Sequence, residues 1–209
     1  IKDEGLVSGH DGFPVYVDSP LANEATDIFI INRESCYDEE ALKYVHQGIN
    51  PIAFTDLIRT VSSDDSRAIN SDTRPKVIIS ASGMCEAGRI KHHVANHISD
   101  PSCTILIVGY CTPTSLGARI QDPNLKWVSI FGMDHKIKAQ VTKIDGFSGH
   151  GDYREMIDYV SRSQNKDAVQ RIFLVHGEET VMDAYRQHWY DAGFRGVEIP
   201  QKGEIVHLF

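Results

Sequence analysis

I-D-G-F-S-G-H-G-D-Y at 144–153, a helix-length segment, and then R-I-F-L-V-H-G-E at 171–178 decide how this chain is read. His150 and His176 each stand at the seam between a strand-like run and a turn, with Gly149 and Gly151 around the first and Gly177 after the second. Small residues beside a polar side chain at a strand end let backbone or ligand come close. A single histidine after an apolar strand is most often a satisfied structural residue. Two of them, joined by one helix and so expected at neighbouring strand ends, make a candidate site.

The intervening segment opens on Asp152 with Glu155 three residues on, a capping-box start for a helix carrying Met156, Ile157 and Val160. Residues 171–175 read as a buried strand and 179–192 as a helix stopped by Gly193, and the tail offers two short strands. Upstream, residues 136–144 alternate, with Ile137, Ala139 and Val141 on one face, as in a half-exposed strand.

Nearer the N-terminus, residues 13–18 read as a strand, and Ser19-Pro20 opens a helix with Leu21, Ala25 and Ile28 on one face. Residues 38–46 suggest a second helix, and 60–75, rich in Ser, Asp and Asn, a surface loop. K-V-I-I-S at 76–80 and C-T-I-L-I-V at 103–108 are buried-type strands, each followed by a glycine turn and a helix. Ile90, Val94 and Ile98 share one face of the first of these helices. Such repeated units predict an α/β fold, with strands near 15–18, 76–80 and 104–108 in one parallel sheet and functional loops at their C-terminal ends.

Composition sets bounds. The 209 residues carry 21 Lys and Arg against 29 Asp and Glu, a net charge of −8, which argues against a basic nucleic-acid coat and confines any such contact to a local cleft. Cys36, Cys85, Cys103 and Cys111 form no C-x-x-C pair and read as reduced thiols of a cytoplasmic protein. The chain opens on Ile1, as if in mid-helix and without Met, which suggests a piece of something longer.

S-A-S-G-M-C-E-A-G-R-I-K-H-H at 80–93 is the most specific string outside the two histidines. A Ser/Gly turn at a helix start exposes backbone N–H groups, and Arg89 and Lys91 add positive charge; this suits a phosphate, though a plain tight turn accounts for it equally well. The string is similar to the hallmark S-x-S-G-M-x-x-x-G-R-x-x-H-H of RNA-processing β-CASP nucleases, a branch of the metallo-β-lactamase fold. F-S-G-H-G-D and L-V-H-G-E resemble that family's motifs B and C, and V-Y-V-D-S-P-L-A (15–22) and I-V-G-Y-C-T-P-T-S-L-G-A-R-I (107–120) resemble further signatures, in order along the chain.

The resemblance implies a β-CASP domain over 1–124, lacking its N-terminal part, and the C-terminal segment of a metallo-β-lactamase (αββα) domain over 125–209. It implies His150 as the catalytic histidine that assists leaving-group protonation and His176 as a ligand to one of two zinc ions. Ser80, Ser82, Gly83, Met84, Arg89, Thr114 and Arg119 become candidate substrate contacts. Because both follow parallel strands expected at one sheet edge, the 82–89 and 112–119 turns should face one another, which leaves two places for Arg119: sharing a phosphate with Arg89, or on the outer helix face. RNA is the implied partner, together with the missing N-terminal half of the metallo-β-lactamase domain; homodimerisation stays open. The main zinc motif, His-x-His-x-Asp-His, is absent from this sequence, as are the other ligands. The fragment is therefore expected to hold the zinc pair incompletely, to be inactive alone, and to expose apolar surface in its second lobe. His92, His93 and His97 are read as a helix surface rather than a metal site. Two other readings stay open: a non-catalytic RNA-binding or scaffold subunit, and a nucleotide-binding α/β protein.

Overall fold

A computed structural model describes residues 14–207, apart from 55 and 148. The expected helical opening at Ile1, and Phe13 of the first strand, lie outside the described residues. Strand β1 (Val15–Val17) is the middle of a three-stranded parallel sheet, flanked by β2 (Leu57–Arg59) and β3 (Val77–Ile79), with Val15 opposite both Leu57 and Val77. Its three residues are β-branched or aromatic, the types that fit a pleated surface covered on both faces, and Tyr16 and Val17 are buried. Helix α1 (Pro20–Ile31) starts where the sequence places it: Ser19 Oγ accepts from Ala22 N, and Pro20 fills the first turn. The face with Leu21 and Ile28 points to solvent, however, and the buried residue is Asn23, whose Nδ2 donates to Thr60 O at 2.9 Å.

After the short helix α2 (Arg33–Cys36), helix α3 (Glu39–His46) forms as expected, and Asp38 caps it. The expected 60–75 loop is instead helix α4 (Ser63–Ala68) and a 3-10 turn at Ile69–Ser71, with Ile69 fully buried. Ser62 and Asp65 form a reciprocal capping box there. Serine and aspartate weaken a helix interior but start a helix well, so a run rich in them signals a helix start as readily as a loop.

Helix α5 (Arg89–His97), strand β4 (Thr104–Ile107) and helix α6 (Leu116–Gln121) follow, then the antiparallel hairpin β5 (Trp127–Ile130) and β6 (Met133–Lys136), then β7 (Gln140–Lys143). Strand β4 does not join β1 and β3; it pairs in parallel with β7, Thr104 opposite Gln140. The hairpin and α6 make the long crossover that a parallel pair requires. The expected single strand over 136–144 is broken at 137–139, because Lys138 N and Ala139 N both donate to Ile98 O at the end of α5, turning the chain from β5 towards β4. Its apolar face is as expected: Ile137 and Val141 pack on a core of Cys85, Val94, Ile98, Ile107, Leu116, Ile120, Val128 and Ile130.

The chain divides into two compact units, Ile1–Ser148 and Gly149–Phe209. In the second unit, α7 (Tyr153–Ser163) starts on the anticipated Asp152/Glu155 capping box. Strand β8 (Ile172–Phe173) pairs in parallel with β9 (Val197–Glu198), helix α8 (Glu179–Asp191) lies between them in sequence, and Leu174, Trp189, Phe194 and Val197 form the core. Of the two strands expected in the tail, β9 is the one formed among the described residues. Tyr159, Val175, Val181 and Ile205 are exposed. No described helix is long and apolar enough to cross a membrane.

Candidate functional site

The chain leaves β1 through Asp18, a carboxylate with no exposed surface. A buried charge is tolerated only with partners for its lone pairs, and Asp18 has four. Thr60 Oγ1 and Arg89 Nη1 (2.7 Å) donate to Oδ1; Ser66 Oγ donates to Oδ2 at 2.6 Å, and His93 Nε2 lies 2.6 Å from the same oxygen. Burial pushes the carboxyl up, but the hydrogen bonds from Ser66, Thr60, His93 and Arg89 outweigh it and hold it at about 2. Arg89 also donates through Nη2 to Val61 O at 2.7 Å, and Ser80 Oγ donates to Asp18 O at 2.8 Å. The Asp18 carboxylate thus ties together the end of β1, the segment after β2, α4 and the start of α5, and its backbone carbonyl adds the end of β3.

A folded-state pKa below the unfolded value stabilises the protein above the unfolded pKa, near 4, and that stability is lost as pH falls through about 2. Acid denaturation followed by circular dichroism should therefore show a loss of about 2 kcal/mol between pH 4 and 2 that is absent from Asp18→Asn.

Asp18 also lines a shallow cleft of about 380 Å³ with Ser19, Pro20, Leu21, Ala81, Ser82, Ala87, Gly88 and Arg89. The cleft lies at the C-terminal ends of β1 and β3, where an open parallel sheet places its ligands. Gly88 (φ +76°) is required by the turn, since a Cβ there would stand 2.5 Å from Ala81 O.

The 82–89 and 112–119 turns do face one another. Gly117 N donates to Met84 O at 2.8 Å, Cys111 Sγ lies 3.6 Å from Gly83 O, and Thr112 Oγ1 lies 3.7 Å from Met84 Sδ. A Cβ on Gly117 would meet Cys111 Sγ at 2.6 Å and Met84 O at 2.9 Å, so this approach needs glycine. The turns meet through loops, β3 and β4 being in different sheets. Of the candidate substrate contacts, Ser82 and Arg89 line the cleft, Ser80 is hydrogen-bonded behind it, and Gly83 and Met84 lie where the turns touch. Thr114 is exposed and Arg119 is half-buried on α6. The first amide of α6, Leu116 N, is taken by the Glu86 carboxylate.

His93 is not on a helix surface but within the Asp18 cluster, and His97 is half-buried, its pKa lowered by burial; His92 is exposed. The cluster of Asp18, Thr60, Ser66 and His93 escaped sequence reasoning. Its available signal was Asp18 itself, a charged residue ending a buried strand.

His150 and His176 lie in the second unit, both exposed, just before α7 and just after β8. His176 has φ +63°, a left-handed conformation that costs a non-glycine residue roughly 1 kcal/mol and collects at functional sites. Among the described residues no three or more His, Cys, Asp or Glu are grouped to hold a metal ion. Catalytic zinc generally takes three protein ligands, so these residues alone do not fit a zinc centre. The four cysteines are free thiols; burial pushes Cys85 up to about 11.

Residues 3–120 match the family model of the Beta-Casp domain, and residues 134–200 match that of the Zn-dependent metallo-hydrolase RNA specificity domain. The chain belongs to the Beta-Casp family, and its fold is the mixed α/β, parallel-stranded architecture of the β-CASP branch of the metallo-β-lactamase fold. It is 33% identical over 168 residues to Ribonuclease TTHA0252 of Thermus thermophilus, covering 79% of this chain and 37% of that protein. It is 32% identical over 185 residues to Transcription termination factor FttA of Methanocaldococcus jannaschii, covering 86% of this chain and 28% of that protein. With FttA of a Lokiarchaeum species the identity is 32% over 217 residues, 100% of this chain and 33% of the relative. The chain thus spans about a third of the length of these curated relatives.

Proposed function

We propose that this chain is the C-terminal portion of a cytoplasmic zinc-dependent ribonuclease that hydrolyses RNA phosphodiesters, and that the portion alone is inactive. The observation carrying the reading is the succession, in one chain, of a Beta-Casp match and an RNA-specificity match, alongside a relative named as a ribonuclease. In this proposal His176 is one zinc ligand, and the remaining ligands of the zinc pair come from outside this chain. His150 is the acid that protonates the leaving oxygen. The cleft at Ser82 and Arg89, with the turn bearing Thr114 and Arg119, takes the RNA backbone.

Arg89 supports a phosphate contact only through what its internal bonds leave over. Nη1 goes to Asp18 and one Nη2 hydrogen to Val61 O; Nε and the other Nη2 hydrogen remain. Arg89→Ala in the complete protein should weaken RNA binding and lower the slope of log K against log salt by about 0.7–0.9. Fluorescence anisotropy across a salt series measures both, and an unchanged affinity at every salt concentration refutes the contact.

A second reading, a non-catalytic RNA-binding or scaffold subunit, draws on the lack of a three-ligand group among the described residues. Cleavage by the complete protein separates the two readings.

A further inference from the structure

The β5–β6 hairpin carries a surface that neither the cleft nor the two histidines use. Val128 and Ile130 face the core, while Trp127 (55% exposed), Ser129 and Phe131 (51% exposed) fall on the outward side. Each outward aromatic ring is attended by cations. Lys136, directly opposite Trp127 in the ladder, places Nζ 5.9 Å from its ring centroid. At the turn, Lys91 Nζ lies 5.2 Å from the Phe131 centroid, and His92 stacks on the same ring at 4.6 Å and 28°. Lys126 and Lys138 are exposed at the hairpin base, so residues 124–138 hold three lysines against the single acid Asp134 in a chain of net charge −8. Phe131 and Gly132 both have positive φ (+53° and +76°), as in the tight turn where Asn or Gly is usual. An aromatic ring stands there against local preference.

We propose that this hairpin is a stacking platform for single-stranded RNA, outside the cleft, with bases lying on Trp127 and Phe131 and the backbone drawn by Lys91, Lys136 and their neighbours. Exposed rings with interleaved cations are what sequence-tolerant single-strand binding uses, because every base has a π-face and every linkage a charge. The rings stand about 13 Å apart along the strand, so one short strand spans both. The inference rests on RNA being the ligand of this protein, as proposed above.

The chain has two tryptophans, Trp127 and the buried Trp189 (4% exposed), so tryptophan fluorescence reports on the platform directly. Titration of the full chain with a 20-nucleotide unstructured RNA should quench about half of its emission and saturate. Trp127→Phe should abolish that quenching and keep the affinity measured by anisotropy. Trp127→Ala and Phe131→Ala should each weaken binding about 10-fold, and Lys136→Gln should lower the salt slope by roughly 0.7. These side chains are exposed, and far-ultraviolet circular dichroism checks that the variants stay folded. RNA binding that ignores both alanine variants and leaves Trp127 unquenched overturns the platform but leaves the RNA reading intact. No RNA binding by the wild-type chain or by the complete protein brings down both. Concentration-dependent self-association that Trp127→Ala abolishes, without any effect on RNA, makes the hairpin a contact between copies and overturns the platform likewise.

Discussion

Asp18→Asn should cost the chain about 3 kcal/mol of stability, read as a fall in the urea midpoint at unchanged slope. The size follows from what remains. Breaking a buried ion pair by removing one partner typically costs about 3–5 kcal/mol, because the other charge is left without compensation. Arg89 keeps 20% exposure, so part of its charge is solvated and the lower end applies. Thr60, Ser66 and His93 lose a charged acceptor in the same step. Arg89→Met in the Asp18→Asn background should recover part of the loss by removing the stranded charge, whereas two independent sites would simply add. A double variant whose loss relative to wild type equals the sum of the two single losses contradicts the hub.

The other large effect belongs to the second unit. In the complete protein, His150→Ala should slow single-turnover cleavage about 10²–10⁴-fold, as expected for loss of a positioned proton donor, while sparing metal content. His176→Ala should lower zinc occupancy and rate together, because a lost ligand acts on both. Metal analysis of the cleavage samples distinguishes the roles. Zinc lost with His150→Ala, or both metals and full rate kept with His176→Ala, reverses the assignment.

Local chemistry was legible where a short-range rule governed it. Ser19-Pro20, Asp38 and the Asp152/Glu155 box start helices as they should, and Val94 and Ile98 are buried as their spacing requires. Long-range pairing was not legible. Nothing in T-I-L-I selects the half-exposed Q-V-T-K of β7 over the apolar V-I-I of β3 as the partner of β4; the choice depends on the crossover between them. The break at 137–139 depends on Ile98 O, some forty residues upstream. The site divides the same way. The 82–89 and 112–119 turns face one another as expected, but not across the shared sheet edge that the expectation assumed: their strands lie in different sheets and loop contacts such as Gly117 N to Met84 O join them. The commitment of Arg89 to Asp18 could not be read, because that contact joins residues 71 positions apart. Burial of His93 escaped for the same reason: helical spacing says which residues share a face, and only packing says which face is covered.

The central claim, that this chain is part of a metal-dependent ribonuclease, is tested most directly by single-turnover cleavage of an end-labelled RNA with the complete protein, before and after chelation and zinc readdition. The account predicts cleavage that chelation abolishes and zinc restores, with none from residues 1–209 alone. RNA bound tightly by the complete protein yet left intact with zinc present would contradict it and favour the non-catalytic reading.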